Sequence, residues 1–215
     1  MGLTLYYAPG ACSFVPHVAL EEAGAAFDAV RLNLADGDQR KPDYLALNPK
    51  GRVPTLVVDG RPLTEVIAIV TYLDRRFRTA GILPGHDPLL AARAYEAMTW
   101  LATTVHVAFA QITRPERYAD DLAMRGALAA PGRDRFVRAL DGLEALAAAK
   151  DAWLVGETFT AVDAYALVVR RWAERIGVDL SAYPAWNAKG DRALARPSVV
   201  RVLVQESGLD PAVAA

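Results

Sequence analysis

Strand and helix signals alternate over the first 77 residues of this chain, and then the strand signals stop. Leu3, Leu5 and Tyr7 alternate as on a half-buried strand. Val15, Val18 and Ala19 fall on one helical face, which Gly24 closes as a C-terminal cap. Phe27, Val30, Leu32 and Leu34 make a second strand-like run, followed by a polar loop over 36–42 and a helical turn over 44–47. Pro54-Thr55-Leu56-Val57-Val58 reads as a third strand. Asp59-Gly60 is a hairpin signal, and Arg61-Pro62-Leu63 supplies a short fourth strand. Thr64 is placed to cap a helix whose Val66, Ile69, Val70, Leu73 and Phe77 form an apolar stripe. The order is βαβ, a connecting turn, then ββα.

Residues 78–88 hold Gly81, Pro84 and Gly85 and read as a linker. Beyond it the apolar spacing is helical throughout, with helices expected over 89–112, 133–149, 161–176, 185–195 and 198–205. The change of punctuation predicts a small α/β domain at 1–77 and a larger all-helical domain at 89–215. Phe159-Thr160-Ala161-Val162-Asp163 is a capping box with Asp in the acidic slot and Phe159 placed as its staple, which explains Asp163 without a catalytic role.

The chain is long enough, at 215 residues, to bury a sizeable core. Its formal net charge of −1 gives no electrostatic reason to expect nucleic acid or an anionic membrane as partner. The N-terminus has no basic segment followed by an apolar one, and no apolar run is long enough to span a bilayer, so a cytoplasmic location is expected. The one cysteine has no partner for a disulfide within the chain, which fits a reducing compartment.

That cysteine, Cys12, lies in Tyr7-Ala8-Pro9-Gly10-Ala11-Cys12-Ser13, between a strand and a helix. A thiol at a helix N-terminus meets unpaired amides and the positive end of the helix dipole, both of which favour the thiolate. The plainer reading is a small buried hydrophobe. Val53-Pro54 precedes a strand, where proline is confined to the first residue or an edge. A cis bond there would turn the Val53 amide and carbonyl outward for an extended peptide ligand; a trans strand start is the alternative. Glu65-Val66 opens the next helix. A carboxylate there complements the dipole, or holds a ligand ammonium while the free amides take its carboxylate.

In combination these segments, with Asn48-Pro49-Lys50-Gly51-Arg52-Val53-Pro54 and Leu63-Thr64-Glu65, resemble the glutathione S-transferases, most closely the bacterial beta class. The capping box matches the family's helical domain, and His106 in Thr103-Thr104-Val105-His106-Val107 is similar to the histidine that beta-class members place near the glutathione sulfur. The resemblance implies a thioredoxin-like α/β N-terminal domain plus an all-α C-terminal domain. It implies glutathione as co-substrate, a small hydrophobic electrophile as second substrate in the cleft between the domains, a homodimer, and a role in detoxification. No metal is implied. Cys12, His106 and Tyr7 would line the sulfur end. Val53 across a cis Pro54 would clamp the cysteinyl backbone, Glu65 and the Val66 amide the γ-glutamyl end, and Lys50 and Arg52 would attract the glycyl carboxylate. Two positions depart from the family: Val66 offers only its amide where Ser is common, and Val107 replaces a frequent lysine.

Bringing a thiol from a pKa near 8.5 to about 6.5 takes about 2.7 kcal/mol. A helix N-terminus supplies up to about 2 kcal/mol, so a hydrogen bond from Tyr7, Ser13, His106 or a backbone amide is expected to make up the rest. Two sulfurs in contact cannot both ionise cheaply. Either glutathione carries the charge while Cys12 donates a hydrogen bond, or Cys12 attacks a disulfide. The expected activities are weak conjugation and thiol–disulfide exchange or peroxidase chemistry; isomerase, dehalogenase and a non-catalytic binder are the alternatives.

Overall fold

The structure is a computed structural model and describes residues 2–85 and 87–208. Residue 86 of the expected linker and the last seven residues of the expected helical domain lie outside the described residues. Strand β1 (Leu3–Tyr7) pairs parallel with β2 (Asp28–Arg31) and antiparallel with β3 (Thr55–Val58), and β3 pairs antiparallel with β4 (Arg61–Thr64). The sheet order is therefore β2-β1-β3-β4. Leu5 lies level with Leu56, and Leu56 with Leu63.

The alternation read from the sequence has a direct cause. Leu3, Leu5 and Tyr7 point into the core shared with α1 (Phe14–Glu22) and α3 (Val66–Arg76). Tyr6 points the other way, its ring 5.5 Å from that of Tyr44 on α2 (Pro42–Leu47). Helix α1 is buried on every side from Phe14 to Leu20, because α7 and α9 cover the side that the sheet does not. The one-sided face read from Val15, Val18 and Ala19 thus understates its burial.

The helical half departs from expectation in two places. The helix expected over 89–112 is α4 (Pro88–Trp100) and α5 (His106–Thr113), joined without a break through a π-helical stretch at Leu101–Val105. An extra residue in a helical turn rotates everything after it by about 100°, and His106 is the first residue past it. The helix expected from residue 133 begins eleven residues earlier, as α6 (Leu122–Ala147), with Asp121 Oδ1 accepting from the Met124 amide at its start. Pro131 does not end it. Gly132 lets α6 cross α5 closely: a Cβ there would lie 3.2 Å from the Ala108 carbonyl oxygen. Packing against a neighbour outweighs the lost hydrogen bond.

Helix α7 (Ala161–Arg175) runs through the middle, buried from Ala161 to Val169. Its start is the expected capping box: Asp163 Oδ2 accepts from the Thr160 amide at 2.8 Å, while the Thr160 hydroxyl accepts from Val162 at 3.3 Å. Asp163 Oδ1 also accepts from the Leu154 amide at 2.9 Å, which ties the preceding loop to the helix. Helices α8 (Pro184–Leu194) and α9 (Pro197–Ser207) complete the described bundle.

Candidate active site

The segment after β1 turns at Gly10, whose φ of 68° suits a residue without a side chain. Ser13 fastens this turn to itself. Its buried hydroxyl accepts from the Ala8 amide at 3.1 Å and donates to the Ala8 carbonyl at 3.2 Å. The helical half holds the turn from outside. The Trp172 indole N–H donates to the Gly10 carbonyl at 2.8 Å, and the Gly10 amide donates to Glu206 Oε2 at 3.2 Å. Glu206 is itself buried and paired with Arg171 at 2.8 Å.

Cys12 sits at the entry of α1, as expected, yet it is not an activated thiolate. Its thiol is buried and donates to the Val53 carbonyl at 3.7 Å. Burial pushes its pKa up to about 12; backbone amide donation and the fields of Arg117 and Arg52 pull downward without offsetting it. At neutral pH the group is a neutral donor. Of the expected donors, a backbone amide acts on the sulfur, whereas Ser13 is committed to Ala8. The Tyr7 hydroxyl donates to the Gln205 carbonyl at 3.4 Å, with its ring 4.8 Å from that of His17. Neither residue bonds the sulfur.

His106 is linked to the same turn through Trp172. Its Nδ1 lies 3.2 Å from the Tyr165 hydroxyl, and its ring packs 4.6 Å from that of Trp172. Trp172 in turn stacks on Phe109 at 4.6 Å with the planes 3° apart. Burial, reinforced by the positive charges of Arg117 and Arg52, lowers the His106 pKa to about 4, so the ring is neutral. Burial likewise holds the Tyr165 hydroxyl protonated. The contact holds the ring through Nδ1, and which of the two atoms donates follows from the imidazole tautomer.

The third wall is the segment 48–54. The Val53–Pro54 bond is cis. Asn48 and Tyr44 fix the segment from beneath: Asn48 Nδ2 donates to the Arg52 carbonyl at 2.7 Å and to Thr55 Oγ1 at 3.0 Å, and the Tyr44 hydroxyl donates to the same carbonyl at 2.6 Å. Gly51 is required by its φ of 59° and by the Gln39 carbonyl, 3.1 Å from where a Cβ would be.

At the rim, Thr64 ends β4 opposite Thr55 and does not cap α3; Glu65 takes that flanking position with φ 73° and ψ 126°, and without a side-chain cap bond. A non-glycine residue there is strained, a condition found mostly at functional sites. Val66 follows, buried, as the first residue of α3. The first amides of a helix have no intrahelical acceptor. Lys50 and Glu65, expected at opposite ends of the ligand, are paired instead: Lys50 Nζ lies 2.5 Å from Glu65 Oε1 and 3.1 Å from Thr64 Oγ1. Both side chains are more than half exposed, and such pairs are worth at most about 1 kcal/mol. An incoming ammonium can take the place of Lys50.

Reading along the sequence missed Tyr165, Trp172 and Arg117. The first two are seven residues apart, so they fall on one face of α7, and that spacing was the available signal. Nothing local marked Arg117. Among the described residues no cluster suited to a metal ion is present, and no helix is long and apolar enough to cross a membrane.

A thioredoxin-like sheet with a cis proline beside a helix-terminal cysteine, backed by a helical bundle, defines a class of thiol-handling proteins. The family model described as "Glutathione S-transferase, N-terminal domain" matches residues 1–75. Glutathione S-transferase GstA of Escherichia coli O157:H7 is 33% identical over 95% of this chain and 98% of its own. A maleylacetoacetate isomerase of Pseudomonas aeruginosa is 32% identical over 92% and 93%. Among solved structures, a glutathione transferase homologue from Sulfitobacter with bound glutathione superposes with a TM-score of 0.89 at 36% identity, covering 97% of this chain and 99% of that one. The bacterial beta class glutathione S-transferase of Sphingomonas chungbukensis has a TM-score of 0.81 at 35% identity, covering 94% and 98%. The chain belongs to the glutathione S-transferase family.

Proposed function

We propose that this protein conjugates glutathione to small electrophiles, with glutathione's own sulfur as nucleophile and Cys12 as the hydrogen-bond donor beside it. The observation that carries this reading is the buried, neutral Cys12 thiol. Two sulfurs share the site, and only one ionises cheaply. Cys12 is the one held protonated, which leaves the charge to glutathione. The Cys12 S–H then exchanges the Val53 carbonyl for glutathione's sulfur. Neutral His106, held by Tyr165 and Trp172, faces the same volume, as do the fields of Arg52 and Arg117. Val53 and Pro54 supply the backbone edge for the cysteinyl unit. Glu65, released from Lys50, receives the γ-glutamyl ammonium, and the amides from Val66 onward receive its carboxylate. Phe109 and Trp172 give the electrophile an apolar wall.

Replacing Cys12 by Ala tests the division of roles. Retention on a glutathione column and turnover of chlorodinitrobenzene should persist, within about tenfold, since a single hydrogen-bond donor contributes on the order of 1–2 kcal/mol. Glutathionylation by oxidised glutathione, read by intact mass, should vanish. Loss of conjugation together with exchange overturns the assignment.

A second reading, glutathione-dependent isomerisation, is favoured by the resemblance to the maleylacetoacetate isomerase of Pseudomonas aeruginosa. It uses the same nucleophile and differs in whether glutathione leaves the product. A cytoplasmic homodimer completes the proposal. The face formed by α4, α5 and α6 carries a groove of about 420 Å³ lined by Trp100, Thr104, Val107 and Arg138, which a second copy would cover.

A further inference from the structure

Tyr165 commits a buried hydroxyl to one contact. The residue is 1% exposed, and among the described residues its hydroxyl has a single polar partner, His106 Nδ1 at 3.2 Å. Two arrangements share that distance. In one, the hydroxyl donates to Nδ1 and the ring proton sits on Nε2. In the other, Nδ1–H donates to the phenol oxygen, and the phenol's own proton has no acceptor. A buried donor without an acceptor costs its full desolvation, whereas an oxygen that donates without also accepting is a lesser loss. The first arrangement leaves no buried proton unpartnered.

Nε2 suits that arrangement. Both ring nitrogens of His17 are sealed and without a partner, but those of His106 are not. Nδ1 has Tyr165, while Nε2, on a half-buried residue, has no partner among the described residues and opens to accessible space. A proton on Nε2 is therefore free to meet a ligand. The ring is also held in one orientation. Trp172 packs on it at 4.6 Å with the planes 51° apart, and a half-turn of the imidazole would set carbon against the Tyr165 hydroxyl and lose the bond. The same Trp172 donates from its indole to the Gly10 carbonyl at 2.8 Å, so one side chain supports both the imidazole and the turn that bears Cys12. His106 directly follows the π-helical stretch Leu101–Val105, a departure from α-helix found frequently at functional sites.

We propose that Tyr165 is a positioning residue for conjugation: it fixes His106 as the tautomer protonated on Nε2, so that the neutral imidazole donates a hydrogen bond to the glutathione thiolate. With no lone pair at Nε2, the imidazole does not take the thiol proton, which goes to solvent. This rests on the transferase reading above and deepens it, because Cys12 and His106 then act as two neutral donors to one sulfur.

The test reads the tautomer by NMR of the ring nitrogens in histidine-labelled protein at neutral pH. The chain has three histidines, and His17→Phe and His86→Gln identify the His106 signals by removing the other two sets. In the wild type, Nε2 is expected to carry the proton and Nδ1 to show the shift of a bonded acceptor. Adding glutathione should move the Nε2 signal more than that of Nδ1. In Tyr165→Phe the separation between the two nitrogen signals should narrow as the tautomers mix. The kinetic counterpart is a pH profile of kcat with chlorodinitrobenzene. Tyr165→Phe should lose about fivefold near pH 6.5, the worth of one hydrogen bond, and should approach the wild type at alkaline pH, where the thiol ionises unaided. Glutathione KM should change little.

A wild-type spectrum with the proton on Nδ1 overturns the proposal and leaves the transferase reading intact. So does an Nε2 signal that glutathione does not move. A loss in Tyr165→Phe that is equal at every pH also overturns it, and assigns Tyr165 to packing. A wild type that neither binds a glutathione column nor turns over chlorodinitrobenzene removes the transferase reading and the role of Tyr165 with it. The wild-type spectra, with and without glutathione, need no Tyr165 variant, so a misfolded Tyr165→Phe leaves the test standing.

Discussion

The two ends of the proposed glutathione groove are built on opposite principles. At the sulfur end, the turn bearing Cys12 is buried and bonded from three sides, by Ser13, Trp172 and Glu206. At the proposed γ-glutamyl end, Lys50 and Glu65 form an exposed ion pair over a strained backbone. A bond to a buried, shielded group is costly to leave unmade, whereas an exposed ion pair exchanges partners at little cost. On the proposed reading, the sulfur end is set before glutathione arrives and the rim rearranges to receive it.

The largest break in this contrast should come from Trp172→Ala. It removes the donor to Gly10, the support under His106 and a buried ring, and large-to-small changes of this kind cost about 3–5 kcal/mol. Urea unfolding would measure that loss. Trp172→Phe keeps most of the packing and should lose only about 1 kcal/mol while still raising glutathione KM. If the Phe variant binds glutathione normally, the Gly10 bond does not set the sulfur end.

A pH series sharpens the same point. Burial lowers both His17 and His106 to about 4, against an ordinary value near 6.5. The unfolded chain therefore binds those protons first, so their contribution is full above about pH 6.5 and is lost as pH falls toward 4. Each is worth up to about 3 kcal/mol. Asp163 and Glu206, raised by burial, act with the opposite sign in the acid range. The net prediction is a stability that drops between pH 6.5 and 4, with a smaller drop in His17→Phe.

The thiol supplies an alkaline counterpart. Because Cys12 titrates near 12, its reaction with oxidised glutathione should speed up about tenfold per pH unit between 7 and 9. A plateau near pH 7 in a mass-spectrometric time course would reveal an activated thiolate and break the assignment of roles.

The smallest effect belongs to the rim. Lys50→Ala should change stability by less than about 1 kcal/mol and should lower glutathione KM slightly, since Glu65 no longer has to release a partner. Glu65→Gln should raise that KM by about tenfold. Opposite signs in these two variants are the signature of exchange at the rim.

Elements whose signals are local were legible along the chain. The hairpin at Asp59-Gly60, the apolar stripe of α3 and the Thr160–Asp163 capping box each depend on residues within a turn or two. The helix expected from residue 133 begins at Leu122 and runs through Pro131, because the crossing at Gly132 holds α6 together from outside. Thr64 had the composition of a cap, yet pairing with Thr55 kept it in the sheet. Tyr7 and Ser13 were the right residue types beside a sulfur, but their hydroxyls had nearer partners in Gln205 and Ala8.

The order of residues alone settled where strands give way to helices, which peptide precedes the proline at the sheet margin, and that a lone thiol stands where a helix begins. Folding in three dimensions decided that this thiol is dry and protonated, and that His106 follows a π-helical stretch and packs on the Trp172 ring that also holds Gly10. The reason is one of range. Hydrogen-bonding pattern and apolar spacing act between near neighbours, whereas desolvation and unscreened charge depend on everything packed around a group, most of it distant along the chain.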